Sequence, residues 1–187
     1  MDGNPVKSAE LVHVMFNKPR GLIVSATDEQ GRATVYTALA AARLPWLGPV
    51  GRLDKASEGL LLLSNDTTWA AGITDPVTHL DKTYHVQVAG QPDASVLAAM
   101  QAGVDECGDL LKARRASLLR VGEKNAWLEV VLDEGCNRHI RRLLAALGFD
   151  VLRLIRVAIG PLALGELAKG QWRRLSAEEV KALDTRG

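Results

Sequence analysis

Hydrophobic and polar positions change period several times along the chain, and each change marks an element. Residues 12–16, VHVMF, alternate and predict a strand, and NKPRG at 17–21 supplies Pro19 and Gly21 for a turn. ATVYTALAAA at 33–42 favours a short helix that ends near Pro45. GLLLLS, 59–64, runs without a polar interruption and closes on Asn65 and Asp66, as does a strand buried on both faces. KTYHVQVAG, 82–90, sets Tyr84, Val86 and Val88 against His85 and Gln87, the period of a strand with one buried face. Asp93 is placed to cap a helix over 92–103 that Gly103 stops, and strands are expected around 109–119 and 126–135. Ile140, Leu143, Leu144 and Leu147 form one helical stripe, ended by Gly148. Residues 151–160 return to strand, GQWRRL forms a last one, and Ser176 with Glu179 makes a capping box ahead of a final helix.

These elements interleave without the regular alternation of a doubly wound parallel sheet, and no glycine-rich phosphate loop is present. The expected fold class is α+β: one mixed, largely antiparallel central sheet flanked by helices, in two subdomains. A flexible tail over 1–10 precedes a single domain over 11–187. Apolar residues are 47% and charged residues 24% of the 187, an ordinary globular balance. The polar start carries no export signal and no apolar run approaches the length of a bilayer span, so the protein is expected in the cytoplasm, away from membranes. Cys107 and Cys136 match no metal-ligand spacing, so no metal is expected. With no long apolar surface segment, the expected state is a monomer.

The net charge of +1 hides an asymmetry. Between Asn137 and Arg174 eight basic residues face two acids, which leaves that segment at +6 and the remainder at −5. Arg138, Arg141 and Arg142 fall three and four apart, at the start of a helix whose dipole disfavours cations. A polyanion, or a carboxylate, facing that side would relieve the misfit. A solvated face balanced by acids from elsewhere is the plain alternative.

Candidate chemistry concentrates in GRLDKASEGLLLLSND, 51–66, where Arg52 and Asp54 stand just ahead of the buried run. Two residues apart in extended chain, they would point the same way, and a guanidinium partner would hold the carboxylate ionised. Taken alone, Asp54 is as well explained as a turn cap or the partner of a structural lysine. The surrounding motifs change that.

This stretch resembles motif II of the pseudouridine synthases, in the form used by the RsuA-type bacterial ribosomal RNA enzymes. NKPRG (17–21), DEQGRATV (28–35), KTY (82–84) and the segment from EGCNRHIRR to QWRRL (134–175) resemble successive family segments in the same order. The resemblance runs from about Val14 to Leu175. It implies the pseudouridine synthase fold and conversion of uridine to pseudouridine in ribosomal RNA, without a cofactor. Because so little chain precedes the first strand, the small N-terminal S4 RNA-binding domain of many RsuA-type enzymes is not expected, and the likeness is greatest to the short RluE-type enzymes of the large subunit.

Carried over residue by residue, the resemblance puts Asp54 on the catalytic aspartate and Arg52 on the arginine of its loop. Tyr84 falls on the tyrosine placed against the target base, and Ile140 and Arg141 on the apolar residue and arginine that line the pocket and pair with the aspartate. Lys82, Arg138, His139, Arg142, Arg153 and Arg156 complete the expected RNA-contact set, with Lys18 and Arg20 as further candidates for the backbone. Two positions depart from the family pattern: Cys136 stands where arginine or lysine is usual, and His139 where glutamine is usual. His13, His79 and His85 read as structural or surface histidines. Two alternatives remain: a ribosomal-RNA-binding protein that keeps the fold without the reaction, and glycosidic hydrolysis, which needs a second carboxylate such as Glu58 near the first.

Overall fold

The computed structural model describes residues 10–25, 30–78, 80–133 and 138–185. Strand β1 (His13–Lys18) is followed by helix α1 (Val35–Leu39), whose cap Thr34 accepts from the Thr37 amide and which runs on as a 3-10 turn over Ala40–Ala42. Next come β2 (Gly48–Val50), β3 (Glu58–Ser64) and helix α2 (Thr67–Thr74), capped by the Asp66 side chain, which accepts from the Trp69 amide. β4 (Lys82–Ala89), α3 (Ala94–Ala102), β5 (Val104–Glu106), β6 (Asp109–Leu111), β7 (Arg115–Val121) and β8 (Asn125–Leu132) follow. The chain continues with α4 (His139–Ala146), β9 (Val151–Ile159), β10 (Leu162–Ala163), β11 (Trp172–Arg174) and α5 (Ala177–Ala182), which opens on the expected capping box.

Two local expectations change. Helix α2 was not anticipated, because Asn65–Asp66 reads equally as the turn that ends β3. The single strand expected over 109–119 is two: β6 pairs back on β5, and β7 joins the main sheet. Cys107 and Gly108, at φ 52° and 87°, form the tight turn that makes this possible, since both central residues of such a hairpin turn need left-handed backbone. Apart from Glu10, the expected tail lies outside the described residues.

Nine of the described strands form one sheet in the order β11-β1-β3-β9-β4-β8-β7, with β2 also beside β3 and β10 beside β9. This is the expected mixed, mostly antiparallel α+β arrangement. The parallel contact is short: β3 and β9 pair only at Glu58–Ile155 and Gly59–Arg156. Gly59 has φ 104°, and a Cβ there would lie 2.2 Å from the Arg156 carbonyl oxygen, so only glycine permits the approach. This seam joins two half-sheets.

Each half has its own core. Leu61 and Leu63 of β3 pack with Val14, Phe16 and Val35 on one face, and Leu60 and Leu62 pack with Met15, Trp69 and Ile73 on the other. The unbroken leucine run is thus used on both faces, each side chain contributing about 1.5–3 kcal/mol by burial. In the other half, Val86, Val88, Leu128 and Val130 pack against Met100 of α3 and Ile140, Leu143 and Leu144 of α4. No helix among the described residues is long and apolar enough to cross a membrane.

Candidate active site

Where β2 ends, β9 takes its place beside β3, and the loop 51–57 that joins β2 to β3 overhangs this exchange. A cleft of about 1050 Å³ opens there. Arg52, Asp54 and Ser57 line it from one half, and Lys82, Tyr84, Arg138, His139, Ile140 and Arg156 from the other. Residues on the sequence's two best motifs therefore meet across the seam.

The loop is fixed largely through its backbone. Gly21 N–H donates to the Lys55 carbonyl (2.8 Å), and Ser57 N–H to the Asp54 carbonyl (2.9 Å). Lys18, expected as a possible RNA contact, is instead fully buried beneath the loop. Its Nζ donates to the carbonyls of Ser57 (2.6 Å), Pro19 (3.2 Å) and Lys55 (3.3 Å). Burial lowers its pKa to about 8 against the attraction of Glu58 and Asp54. The sequence signal was available in NKPRG, but nothing local says that a lysine at a strand end turns inward.

Asp54 is half-buried, and its carboxylate has no ion pair or hydrogen bond among the described residues. The direct Arg141 pair that the resemblance implied is absent in this state. Arg141 Nη2 lies 3.4 Å from Ser57 Oγ, and its Nε is buried without a partner among the described residues. Burial chiefly, and then repulsion from Arg138, lower the Arg141 pKa; Asp54 acts against that shift and Arg20 adds to it. The guanidinium thus stands in the field of Asp54 without touching it.

Tyr84 is the cross-strand neighbour of Arg156, beside an irregularity in the β4–β9 pairing between Thr83 and Tyr84 that re-aims the strand at the cleft. Lys82 is half-buried, and its pKa is lowered by burial and by Arg156, partly offset by Asp81 and Asp133. Ile140 is buried beneath the helix start.

Several expected RNA contacts have internal partners. Arg142 donates from Nε to Glu106 (2.8 Å) and from Nη2 to Glu106 and to Asp109 (2.8 Å), which clamps the β5–β6 hairpin to α4. His139 is buried and donates from Nε2 to the Lys112 carbonyl (3.0 Å), holding the same hairpin. Arg153 grips Glu58 through two hydrogen bonds, 2.9 and 3.1 Å, while Lys169 adds a third contact at 2.9 Å. Arg156 is buried and donates from Nε to the Leu60 carbonyl (2.8 Å) across the seam. Arg20 donates to the Leu152 carbonyl (3.1 Å). Arg52 and Arg138 remain exposed at the cleft. His13 and His85 meet Asp66 and Glu129, while His79 and Cys136 lie outside the described residues.

Glu58 does not serve as a second cleft carboxylate. Burial alone would raise its pKa, but the hydrogen bonds and charges of Arg153 and Lys169 bring it down to about 2. It stays ionised and clasped, so Glu58 does not supply the proton donor that glycosidic hydrolysis requires.

The RNA pseudouridylate synthase family matches residues 12–146. The chain is similar to a ribosomal large subunit pseudouridine synthase E from Xanthomonas campestris pv. campestris, 39% identical over 183 residues that cover 90% of this chain and 97% of that protein. It is also 34% identical to ribosomal large subunit pseudouridine synthase B of Bacillus subtilis, across 98% of this chain and 74% of the relative. A crystal structure of a pseudouridylate synthase superposes with a TM-score of 0.80 at 32% identity, covering 95% of this chain and 75% of that one. With a cleft that gathers Asp54 and Tyr84 and a family match over most of its length, this chain belongs to the RNA pseudouridylate synthases.

Proposed function

We propose that the protein isomerises a uridine of large-subunit ribosomal RNA to pseudouridine, with Asp54 as its catalytic carboxylate. The observation that carries this is the meeting of Asp54 and Tyr84 in one cleft whose mouth bears Arg52 and Arg138. The large-subunit assignment rests on the similarity to the ribosomal large subunit pseudouridine synthases of Xanthomonas and Bacillus.

The reaction breaks the N1–C1′ bond, turns the base and rejoins it through C5, with no net redox change, so neither a metal nor an organic cofactor is required. Whether the carboxylate attacks C1′ or removes a ribose proton, the step needs an ionised oxygen beside the sugar. The target nucleotide has to leave its stack to reach the cleft, and Tyr84 offers an aromatic face on which to receive it. Exposed Arg52 and Arg138 meet backbone phosphates, and Arg141 closes on Asp54 when RNA fills the cleft. The working form is a cytoplasmic monomer.

Asp54→Asn should abolish pseudouridine formation on large-subunit ribosomal RNA transcripts, mapped by base-specific chemical modification and primer extension. Melting temperature and salt-dependent RNA binding should stay close to those of the parent protein. Turnover retained in this variant would remove Asp54 from the role, and loss of RNA binding with it would reduce the residue to a structural one.

A further inference from the structure

Arg156 is 5% exposed. Its Nε is satisfied by the Leu60 carbonyl, but its Nη2 is buried with no hydrogen-bond partner among the described residues. No carboxylate among the described residues forms an ion pair with it. Arg153, three residues earlier, shows what a structural arginine looks like here, since Glu58 receives two of its donors. Burying a guanidinium without a counter-charge is costly, and one bond to a backbone carbonyl does not require a cation.

The position of that charge is informative. Arg156 lines the same cleft as Asp54 and sits directly across from Tyr84 on the neighbouring strand. Lys82, half-buried beside it, adds to the positive field. Side chains this deep do not meet the phosphates of a docked strand, which run past the exposed cations at the mouth. What reaches this depth is the extruded base. When the N1–C1′ bond opens, its electron pair leaves with uracil, and the base carries one negative charge shared among N1, O2 and O4. That charge is discharged only when C5 bonds to C1′, the C5 proton leaves and N1 takes up a proton.

We propose that Arg156 is a further catalytic residue, whose unpartnered Nη2 N–H donates to a carbonyl oxygen of the target uracil and stabilises the anion formed when the glycosidic bond breaks. The bond tightens as charge develops, which is the condition for accelerating the step and not merely for binding. The same donor favours uracil over cytosine when it addresses O4, because cytosine carries an amino group there. This inference rests on the function proposed above.

The test compares single-turnover rates of the parent protein, Arg156→Lys and Arg156→Gln on transcripts with uridine, 2-thiouridine or 4-thiouridine at the target. Sulfur is a poorer acceptor than oxygen. Each variant should lose roughly 100-fold in rate per folded protein, the size seen on removing one oxyanion donor, with RNA affinity little changed, while loss of the Leu60 contact lowers the melting temperature separately. One of the two thio substrates should slow the parent protein markedly and the variants hardly at all, and its identity names the oxygen. A thio penalty equal in parent and variants, or variants that keep the parent rate, would leave Arg156 as a seam contact only. Should both variants unfold, equal parent rates on the two thio substrates and uridine would overturn the proposal equally. If the parent protein forms no pseudouridine on any ribosomal transcript, the functional reading itself has failed.

Discussion

Arg153 and Arg156 stand three apart on one strand and point to opposite faces of the sheet, so they compare the back of the β3–β9 seam with its front. On the back, buried Glu58 is matched by Arg153 and Lys169. On the front, among the described residues, Arg156 and Asp54 have no charged partner within contact, and Arg141 holds only a long hydrogen bond to a hydroxyl. The two faces share a backbone and differ in whether charge is balanced at rest. Balanced charge ties the two half-sheets together, whereas the unbalanced charges are the ones to which the proposed function assigns the substrate. Polarity alone would not have separated these groups; their partners do.

Mutations should divide along that line, and the residue beneath both faces should have the largest effect. Lys18→Met removes the donor that ties the Ser57, Lys55 and Pro19 carbonyls under the Asp54 loop. Unsatisfied carbonyls should lower stability by about 1–3 kcal/mol, read by denaturant unfolding. Looseness of the loop should lower kcat by about 100-fold, since a displacement of about 1 Å is enough for that. Stability loss with full turnover in the folded fraction would mean that the loop positions itself without this lysine.

Glu58→Gln on the back should destabilise the protein by about 2 kcal/mol, less than a fully buried pair because Arg153 and Lys169 keep contact with water, while kcat of the folded enzyme changes little. The pH dependence has a definite sign. Folding lowers the Glu58 pKa from 4.5 to about 2, so its contribution is complete above about pH 4.5 and is lost as pH falls from there toward 2. Stability curves of the parent protein and Glu58→Gln should therefore converge across that window. A constant gap down to pH 2 would show that the clasp is not ionic.

Arg141→Ala on the front should give the smallest change in folding, within about 0.5 kcal/mol, because the side chain makes one weak hydrogen bond among the described residues. Its kcat should still fall by about tenfold, the loss of a positive charge in the field of the proposed catalytic carboxylate, Asp54. A melting temperature that drops while kcat holds would move Arg141 to the structural group and erase the contrast.

The sequence carried the parts of the fold that repeat a local pattern. The leucine run of β3, the alternation of β4, the stripe of α4 and the Ser176–Glu179 box are each written within a few neighbouring residues. Helix α2 is not legible in the sequence, because Asp66 serves two grammars, strand end and helix cap. Within the site, Asp54 and Tyr84 were legible through their motifs and do line one cleft. The fates of the arginines were not, because their partners lie far away in sequence: Glu58 is 95 residues from Arg153 and Glu106 is 36 from Arg142. A basic cluster announces its charge, and only the folded chain shows which cations have already been neutralised.

Gly59 limits how this enzyme type can adapt. Because its missing side chain sets the distance at which the two half-sheets meet, the width of the cleft floor is fixed by a residue with no smaller replacement. Even alanine would act as a wedge against the Arg156 backbone. Retargeting such an enzyme to another RNA is therefore a problem of redesigning its rim, at Arg52, Arg138 and the hairpin held by Arg142, while the seam at Gly59 stays untouched.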